Sequence, residues 1–222
     1  MNTTSALVFD LDGTLADSSS CIVGAVHHQC RALGLPLVAA EDVLQMIGQP
    51  LGSMLKALLG VEGEALRRSV DDYSVEYRRL AMTQERLFEG AVPMLRALRG
   101  AGFRLAIATG KSQRGAESAT ARLGLAPLFD TIHGILPGTP GKPDPAVLQR
   151  AMDTLGAEAR ECIMVGDTTF DMDLAHALGV RTAAVLWGAH SQERLVGCGP
   201  SFVAAGLAEL EAWLLSQRST EG

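Results

Sequence analysis

Long uninterrupted apolar runs are missing from this sequence. A helix needs about 20 consecutive apolar residues to cross a bilayer, and no stretch of the chain approaches that length. The first residues also lack the basic stretch and apolar core that mark a signal peptide. We therefore expect a cytoplasmic protein with no membrane partner.

Runs of cationic residues and paired cysteines are also absent. The formal net charge is −6, and no run of Lys or Arg could neutralise successive phosphates of a nucleic acid. The four cysteines form no CxxC pair and no zinc-type spacing, which favours free thiols. Hydrophobic residues make up 47% of the chain, enough for a packed core. Nucleic acid is therefore not an expected partner.

From about residue 90 onward, strand-like and helix-like segments alternate, which is typical of a parallel sheet with crossover helices. The predicted strands, with the first one near the N-terminus, are residues 6–9, 103–108, 131–132, 162–165 and 182–186. The predicted helices are residues 93–99, 112–123, 145–155, 171–178 and 206–215. A polar tail follows the last helix. Several of these helices are followed by glycine, the preferred residue after a helix C-terminus.

Residues 17–89, which we call the helical segment, differ from the rest of the chain. They contain no β-branched strand-like run, and their apolar residues recur at helical spacing, as at Val43, Met46 and Ile47. The simplest arrangement is an α/β core formed by residues 1–16 and 90–222. The helical segment is then an all-helical insertion that covers this core.

Two aspartates, Asp10 and Asp12, directly follow the first predicted strand. Side chains two residues apart on an extended chain project the same way, so these carboxylates should converge. A fold keeps like charges that close only if a cation, a proton or a chemical task offsets the repulsion. This arrangement suits one acid that attacks and a second that transfers a proton. On this segment alone, a strand that ends in turn-forming aspartates is the alternative.

Three further polar signals follow other predicted strands or loops of the core. They are Thr109 in ATGKS, Lys142 in GKPDP, and the acids Asp167 and Asp171 in GDTTFDMDLA. A threonine hydroxyl beside backbone amides at a helix start suits an anionic oxygen, whereas the upstream glycine of a nucleotide-binding P-loop is absent. Taken alone, Lys142 could be a solvated loop lysine. Together, the clustered carboxylates favour Mg²⁺ and a bound phosphoryl group.

In order and context, FDLDGTLADS and these three motifs resemble the four motifs of the haloacid dehalogenase superfamily of phosphatases. The resemblance implies a Rossmann-like parallel-sheet core. It also implies that Asp10 is the nucleophile, which becomes an aspartyl-phosphate. Asp12 would then protonate the leaving group and later activate water.

The same resemblance assigns the metal and the substrate contacts. Asp10, the backbone carbonyl of Asp12 and Asp167 would hold Mg²⁺, with Asp171 in the outer shell or paired with Lys142. The residues that would bind the substrate phosphoryl group are Thr109, Gly110 and Lys142.

The helical segment is similar to the type 1 cap of this superfamily, and residues 46–51 are similar to a cap loop of phosphoglycolate phosphatases. We therefore expect a Mg²⁺-dependent phosphatase acting on a small phosphorylated metabolite, with 2-phosphoglycolate as the best candidate. The alternatives are a phosphomutase for a sugar phosphate, a phosphatase for a nucleotide or pyrophosphate, and a catalytically idle binding protein. A dehalogenase is disfavoured because Asp12 is present. The protein should be a monomer or a homodimer.

Overall fold

A computed structural model of the chain describes residues 4–218, so the last four residues of the predicted tail lie outside the described part. The strands are β1 (Ala6–Phe9), β2 (Ala16–Asp17), β3 (Arg86–Leu87), β4 (Arg104–Ser112), β5 (Thr131–Ile135), β6 (Cys162–Gly166), β7 (Arg181–Val185) and β8 (Phe202–Ala204). The helices are α1 (Ser19–Ala32), α2 (Ala40–Leu44), α3 (Leu51–Leu59), α4 (Gly63–Ala81), α5 (Ala91–Gly100), α6 (Gln113–Arg122), α7 (Ala146–Leu155), α8 (Thr169–His176), α9 (Gln192–Gly197) and α10 (Leu207–Ser216).

Six strands form one parallel sheet in the order β5-β4-β1-β6-β7-β8. The strand β1 lies in the middle, between β4 and β6, and its four residues are fully buried. Leu7 and Phe9 pack in the cluster that includes side chains of α5 and α10, whereas Ala6 and Val8 pack with side chains of α7 and α8. The continuous apolar run of β1 is typical of a strand that is buried on both faces. The predicted α/β fold with a parallel sheet is confirmed.

The helices α1 to α4 lie within the helical segment and share a separate apolar cluster. Buried members of this cluster include Ile22, Leu55 and Tyr73. A two-stranded antiparallel ribbon of β2 and β3, which the sequence pattern did not predict, joins the two ends of the segment. The division of the chain into residues 1–16 with 90–222 and residues 17–89 stays a prediction.

The end of β4 differs from the prediction. The strand does not stop at Ala108 but continues to Ser112, which pairs with Ile135 of β5 after a shift in register. The helix α6 begins only at Gln113, and the Ser112 hydroxyl accepts a hydrogen bond from the Gly115 amide as its N-cap. The expectation that Thr109 lies at a helix start is therefore wrong, because pairing with β5 keeps this stretch in the sheet.

Further elements follow β7. The short strand β8 and the helix α9 were not predicted, whereas α10 confirms the last predicted helix with a shift of one residue at each end. None of the helices formed by residues 4–218 has the length and apolar character that crossing a bilayer requires.

Candidate active site

Asp10 follows the central strand β1, and its backbone N–H donates to the carbonyl of Val165 on β6 at 2.9 Å. The side chain is buried, with 1% of the residue exposed. Its Oδ1 accepts a hydrogen bond from Lys142 Nζ at 2.6 Å. Its Oδ2 is buried without a hydrogen-bond partner among the described residues. One oxygen of Asp10 is thus fixed while the other is left for a ligand.

Lys142 lies in the loop before α7 and is fully buried in its side chain. Its Nζ donates to Asp171 Oδ1 at 2.5 Å as well as to Asp10. Burial lowers the pKa of Lys142, but the charges of Asp10 and Asp171 outweigh this effect, and the net pKa is raised. Lys142 therefore stays charged and links Asp10 of the first motif to Asp171 of the last. The pairing of Asp171 with Lys142 is one of the two arrangements that the sequence analysis allowed.

Asp167 and Asp171 follow β6, and hydrogen bonds fix both carboxylates. Asp167 Oδ1 accepts from Thr14 Oγ1 at 2.8 Å, and its Oδ2 accepts from the Ala189 amide at 2.7 Å. Asp171 Oδ2 accepts from Thr168 Oγ1 at 2.7 Å, while Thr168 in turn caps α8. Each carboxylate is held by donors from neighbouring segments, so its orientation is set before any ligand binds.

Asp10, Asp167 and Asp171 each offer a carboxylate oxygen within 4.8 Å of the others. Burial, reinforced by the charges of the neighbouring carboxylates, raises the pKa of Asp10 to about 7 and that of Asp167 well above its usual range. Lys142 alone cannot balance three carboxylates. The repulsion among three buried carboxylates and their all-oxygen donor set fit a hard divalent cation.

Asp12 is not part of this carboxylate cluster. Its Oδ2 forms an ion pair with Lys111 Nζ at 2.9 Å, and its Oδ1 is buried without a hydrogen-bond partner in residues 4–218. The turn that follows requires Gly13, which has φ +80°, and a Cβ there would lie 2.2 Å from Asp167 Oδ2. Gly13 therefore lets the chain turn away from β1 in close contact with the Asp167 carboxylate.

The residues after β4 contact the helical segment. Thr109 is buried, and its Oγ1 accepts from the Lys111 amide at 3.4 Å. A Cβ on Gly110 would lie 2.3 Å from the carbonyl oxygen of Gly48, in the loop between α2 and α3. A Cβ on Gly141 would lie 2.2 Å from Pro50 at the end of the same loop. The loop between α2 and α3 thus packs on the segments that carry Thr109 and Lys142.

His190 is a residue of this region that the sequence reasoning did not identify. Its Nδ1 accepts from the Thr169 amide at 3.0 Å, and its Nε2 lies 3.1 Å from the carbonyl oxygen of Gln45. A neutral ring with its proton on Nε2 satisfies both contacts, and burial lowers the pKa of His190. The ring joins the start of α8 to the helical segment, and no motif in the sequence signals it.

The structure therefore joins Asp10, Lys142, Asp167 and Asp171 directly, and it places Asp12 on a second lysine. That lysine, Lys111, lies in the ATGKS motif, and the sequence analysis gave it no role of its own. Direct contact of Thr109 or Gly110 with a phosphoryl group stays a prediction.

Comparison with known proteins places this arrangement in a family. The sequence profile of the Haloacid dehalogenase-like hydrolase family matches residues 7–185. A protein from Dickeya dadantii named "Probable phosphatase IndB" is 34% identical over 208 residues, covering 92% of this chain and 90% of that protein. A protein from Rhodospirillum rubrum named phosphoglycolate phosphatase is 30% identical over 219 residues, covering 94% of this chain and 90% of that protein.

A third relative has a different printed name. The tyrosine-protein kinase PtkA from Mycobacterium tuberculosis is 33% identical over 182 residues, which is 82% of this chain. This chain spans only 62% of the length of that protein.

Among solved structures, a haloacid dehalogenase-like family hydrolase from Streptococcus pneumoniae is similar with a TM-score of 0.86 and 30% sequence identity. The similarity covers 96% of this chain and 99% of that one. The profile match from β1 to β7 contains every motif that surrounds the carboxylate cluster. This chain belongs to the haloacid dehalogenase-like hydrolase family.

Proposed function

We propose that the protein is a Mg²⁺-dependent phosphatase that hydrolyses a small phosphorylated metabolite through a covalent aspartyl-phosphate on Asp10. One observation carries this proposal: the buried Oδ2 of Asp10 has no hydrogen-bond partner among residues 4–218, although Lys142 fixes Oδ1 and two further carboxylates lie beside it. An oxygen that costs free energy to bury and is left unpaired suits attack on an electrophile.

The first step transfers the phosphoryl group to the protein. Oδ2 of Asp10 forms a bond to phosphorus as the bond between phosphorus and the leaving oxygen breaks. Asp12 donates its proton to that oxygen, so the departing group leaves as an alcohol. Lys142 keeps Asp10 oriented and places a positive charge beside the phosphoryl oxygens, where negative charge must be stabilised.

The second step returns the protein to its starting state. Asp12, now a carboxylate, takes a proton from water as the water oxygen attacks phosphorus. The bond between phosphorus and Asp10 then breaks, and inorganic phosphate is released. Asp12 is protonated again, so protons and bonds balance over the cycle.

The metal would be held by Asp10, Asp167 and the backbone carbonyl of Asp12, with Asp171 kept on Lys142. When bound, Mg²⁺ offsets the repulsion among the carboxylates and neutralises charge on the phosphoryl oxygens. The proposed substrate contacts on the opposite side are Thr109 and Gly110.

The best candidate substrate is 2-phosphoglycolate. Support comes from the Rhodospirillum rubrum relative, whose printed name is phosphoglycolate phosphatase and which aligns with 94% of this chain. The chemistry does not depend on this choice, because the residues proposed for phosphoryl transfer contact only the phosphoryl group and the leaving oxygen.

The test is a phosphate-release screen with the full-length protein and Mg²⁺. It compares 2-phosphoglycolate with pyrophosphate, a nucleoside monophosphate, a sugar phosphate and 4-nitrophenyl phosphate. We expect release from 2-phosphoglycolate with the highest kcat/KM. Highest activity on another compound would replace the substrate, and conversion of a sugar phosphate to its isomer without phosphate release would indicate a phosphomutase.

The metal requirement is tested on the same protein with excess chelator. We expect activity to vanish and to return with Mg²⁺ but not with Ca²⁺, whose looser and higher coordination does not favour in-line attack. Full activity after exhaustive chelation would contradict the metal site. Calorimetry without substrate measures the binding of Mg²⁺ directly. This binding should be lost in Asp167→Ala.

A further inference from the structure

A second, partly buried polar network lies beside the carboxylate cluster, and the proposed mechanism has not used it. Lys111 Nζ contacts Asp12 Oδ2 at 2.9 Å and donates to Tyr77 Oη at 3.0 Å. Tyr77 Oη donates to Glu85 Oε1 at 2.5 Å, and Glu85 Oε2 is ion-paired with Arg122. The chain of contacts thus runs from Asp12 through the helical segment to α6.

The donors and acceptors of this network are consistent. The one hydroxyl proton of Tyr77 goes to Glu85, so its oxygen is free to accept from Lys111. Lys111 Nζ also lies 4.3 Å from the centroid of the Tyr77 ring. When Asp12 is ionised, the charges pair as Asp12 with Lys111 and Glu85 with Arg122, which leaves no net charge. When Asp12 carries the proton that it donates, its Oδ2 still accepts a hydrogen bond from Lys111.

The ionisation states of Tyr77 and Lys111 agree with these hydrogen-bond directions. Burial, and then the charges of Asp12 and Glu85, raise the pKa of Tyr77 well above its usual value, so it stays a phenol. Burial lowers the pKa of Lys111, but the charges of Asp12 and Glu85 outweigh it and the net pKa is raised. Lys111 is therefore a charged donor.

The geometry at Asp12 is what gives the network a role. Lys111 occupies Oδ2, while Oδ1 is buried without a partner in the described part of the chain. A carboxylate held by one oxygen presents the other in a fixed direction. Proton transfer to a leaving oxygen needs such a fixed direction, because misplacement by about 1 Å can cost on the order of 10²-fold in rate.

We propose that Lys111 is a positioning residue for proton transfer, which holds Oδ2 of Asp12 so that Oδ1 meets the leaving oxygen, and that Tyr77 holds Lys111. This inference rests on the proposed role of Asp12 in the phosphatase mechanism. Tyr77 belongs to α4, whereas Lys111 belongs to β4. The helical segment therefore supports the acid–base step although it supplies no group to phosphorus.

The experiment measures single-turnover phosphorylation of the Mg²⁺-loaded protein with two probes. Glycerol 2-phosphate has an alkoxide leaving group that needs a proton, whereas 4-nitrophenyl phosphate leaves as a stable anion. The variants are Lys111→Met, which removes the donors, Lys111→Arg, which keeps the charge, and Tyr77→Phe, which removes one oxygen atom. Tyr73→Phe is the matched control, since Tyr73 is buried on the same helix and its ring stacks on Tyr77 at 6.0 Å.

We expect Lys111→Met to slow phosphorylation by glycerol 2-phosphate on the order of 10²-fold and by 4-nitrophenyl phosphate only about threefold. Tyr77→Phe should show the same selectivity with a loss of about tenfold on glycerol 2-phosphate, and Tyr73→Phe should change neither rate. Lys111→Arg should recover most of the glycerol 2-phosphate rate. If Lys111→Met does not fold, Tyr77→Phe tests the same link.

Two results would overturn the inference. One is an equal loss on both probes in Lys111→Met and Tyr77→Phe. The other is a rise in KM confined to substrates with a second anionic group, which would make Lys111 a substrate-binding residue. Asp10→Asn and Asp12→Asn, measured alongside, separate this failure from failure of the mechanism. If Asp12→Asn shows the leaving-group selectivity and the Lys111 and Tyr77 variants do not, only the present inference is wrong.

Discussion

The two aspartates of the first motif are each held by a lysine, but the two lysines are held differently. Lys142 contacts Asp10 and Asp171, and the elements involved are the end of β1, the loop before α7 and the helix α8. Lys111 contacts Asp12 and Tyr77, so its surroundings include α4 of the helical segment. Its side chain is 14% exposed, whereas that of Lys142 is 0% exposed.

This difference separates two requirements of the proposed reaction. The side chains that hold the nucleophile, Lys142 and through it Asp171, come from outside the helical segment. The proton donor is fixed by a lysine that the helical segment supports. Attack on phosphorus and protonation of the leaving group should therefore respond differently to substitutions in the two regions.

The largest effect is expected at the nucleophile. Asp10→Asn should abolish covalent phosphorylation, seen by intact-protein mass spectrometry, because no other group can accept the phosphoryl. Turnover should fall on the order of 10⁴-fold or more on every substrate, with both leaving groups affected alike. The control Asp173→Asn changes an exposed acid of α8 and should keep full activity. Residual labelling of Asp10→Asn would contradict the assignment.

The next prediction tests how strongly the stability of the protein depends on Lys142. Lys142→Met leaves Asp10 and Asp171 as buried carboxylates without their cation, which should lower the free energy of unfolding by about 3–5 kcal/mol. Denaturant titration in the presence of chelator measures this effect without help from a metal. Lys56→Met is the matched control, since its ion pair with Glu62 at 2.6 Å is exposed to solvent and contributes little to stability. Equal losses would mean that the buried pair is not structurally important.

A third prediction tests the role of Asp12 as proton donor. Asp12→Asn should slow the phosphorylation step with alkyl phosphates by about 10²–10⁴-fold and with 4-nitrophenyl phosphate much less, because nitrophenolate needs no proton to leave. Single-turnover rates are required, since Asp12 also activates water in the second step. Equal losses for the two leaving groups would show that Asp12 does not donate the proton.

The smallest effect is expected in the loop between α2 and α3. Gln49 is partly buried there, beside the backbone that packs on Gly110. Gln49→Ala should change the relative kcat/KM among metabolites by about tenfold or less and leave 4-nitrophenyl phosphate nearly unaffected. Gln192→Ala, an exposed position on α9, is the control. A uniform loss across all substrates would argue against a role of this loop in substrate choice.

The sequence predicts most of the sheet because local pattern and tertiary environment agree there. The run Ala6–Phe9 is apolar throughout and ends at a charge, and the structure places β1 at these residues. The strand β8 escapes prediction because it has three residues and gains its structure by pairing with β7. The end of β4 escapes because Thr109 to Ser112 resembles a turn, and only the distant partner β5 keeps it extended.

For the site, the sequence predicts the carboxylates and Lys142. It does not predict the network that links Asp12 through Lys111 to Tyr77 and Glu85. Glu85 and Tyr77 occur in a stretch whose pattern indicates an ordinary amphipathic helix and its connection. Glu85 contacts Arg122, which is 37 positions away, and Tyr77 contacts Lys111, which is 34 positions away. Contacts at such separations leave no trace in local periodicity, so no sequence pattern identifies them.

The central position of β1 has a consequence for how the protein is made. This strand is synthesised before both of its neighbours in the sheet, β4 and β6, which come after the helical segment. Asp10 and Lys142 are separated by 132 positions in the sequence, and Thr14 and Asp167 by 153. Such long-range contacts slow folding, because long chain segments must be closed before the contacts form. During translation, the carboxylate cluster can assemble only after α8 has left the ribosome, so a shorter nascent chain carries the first motif without a complete site.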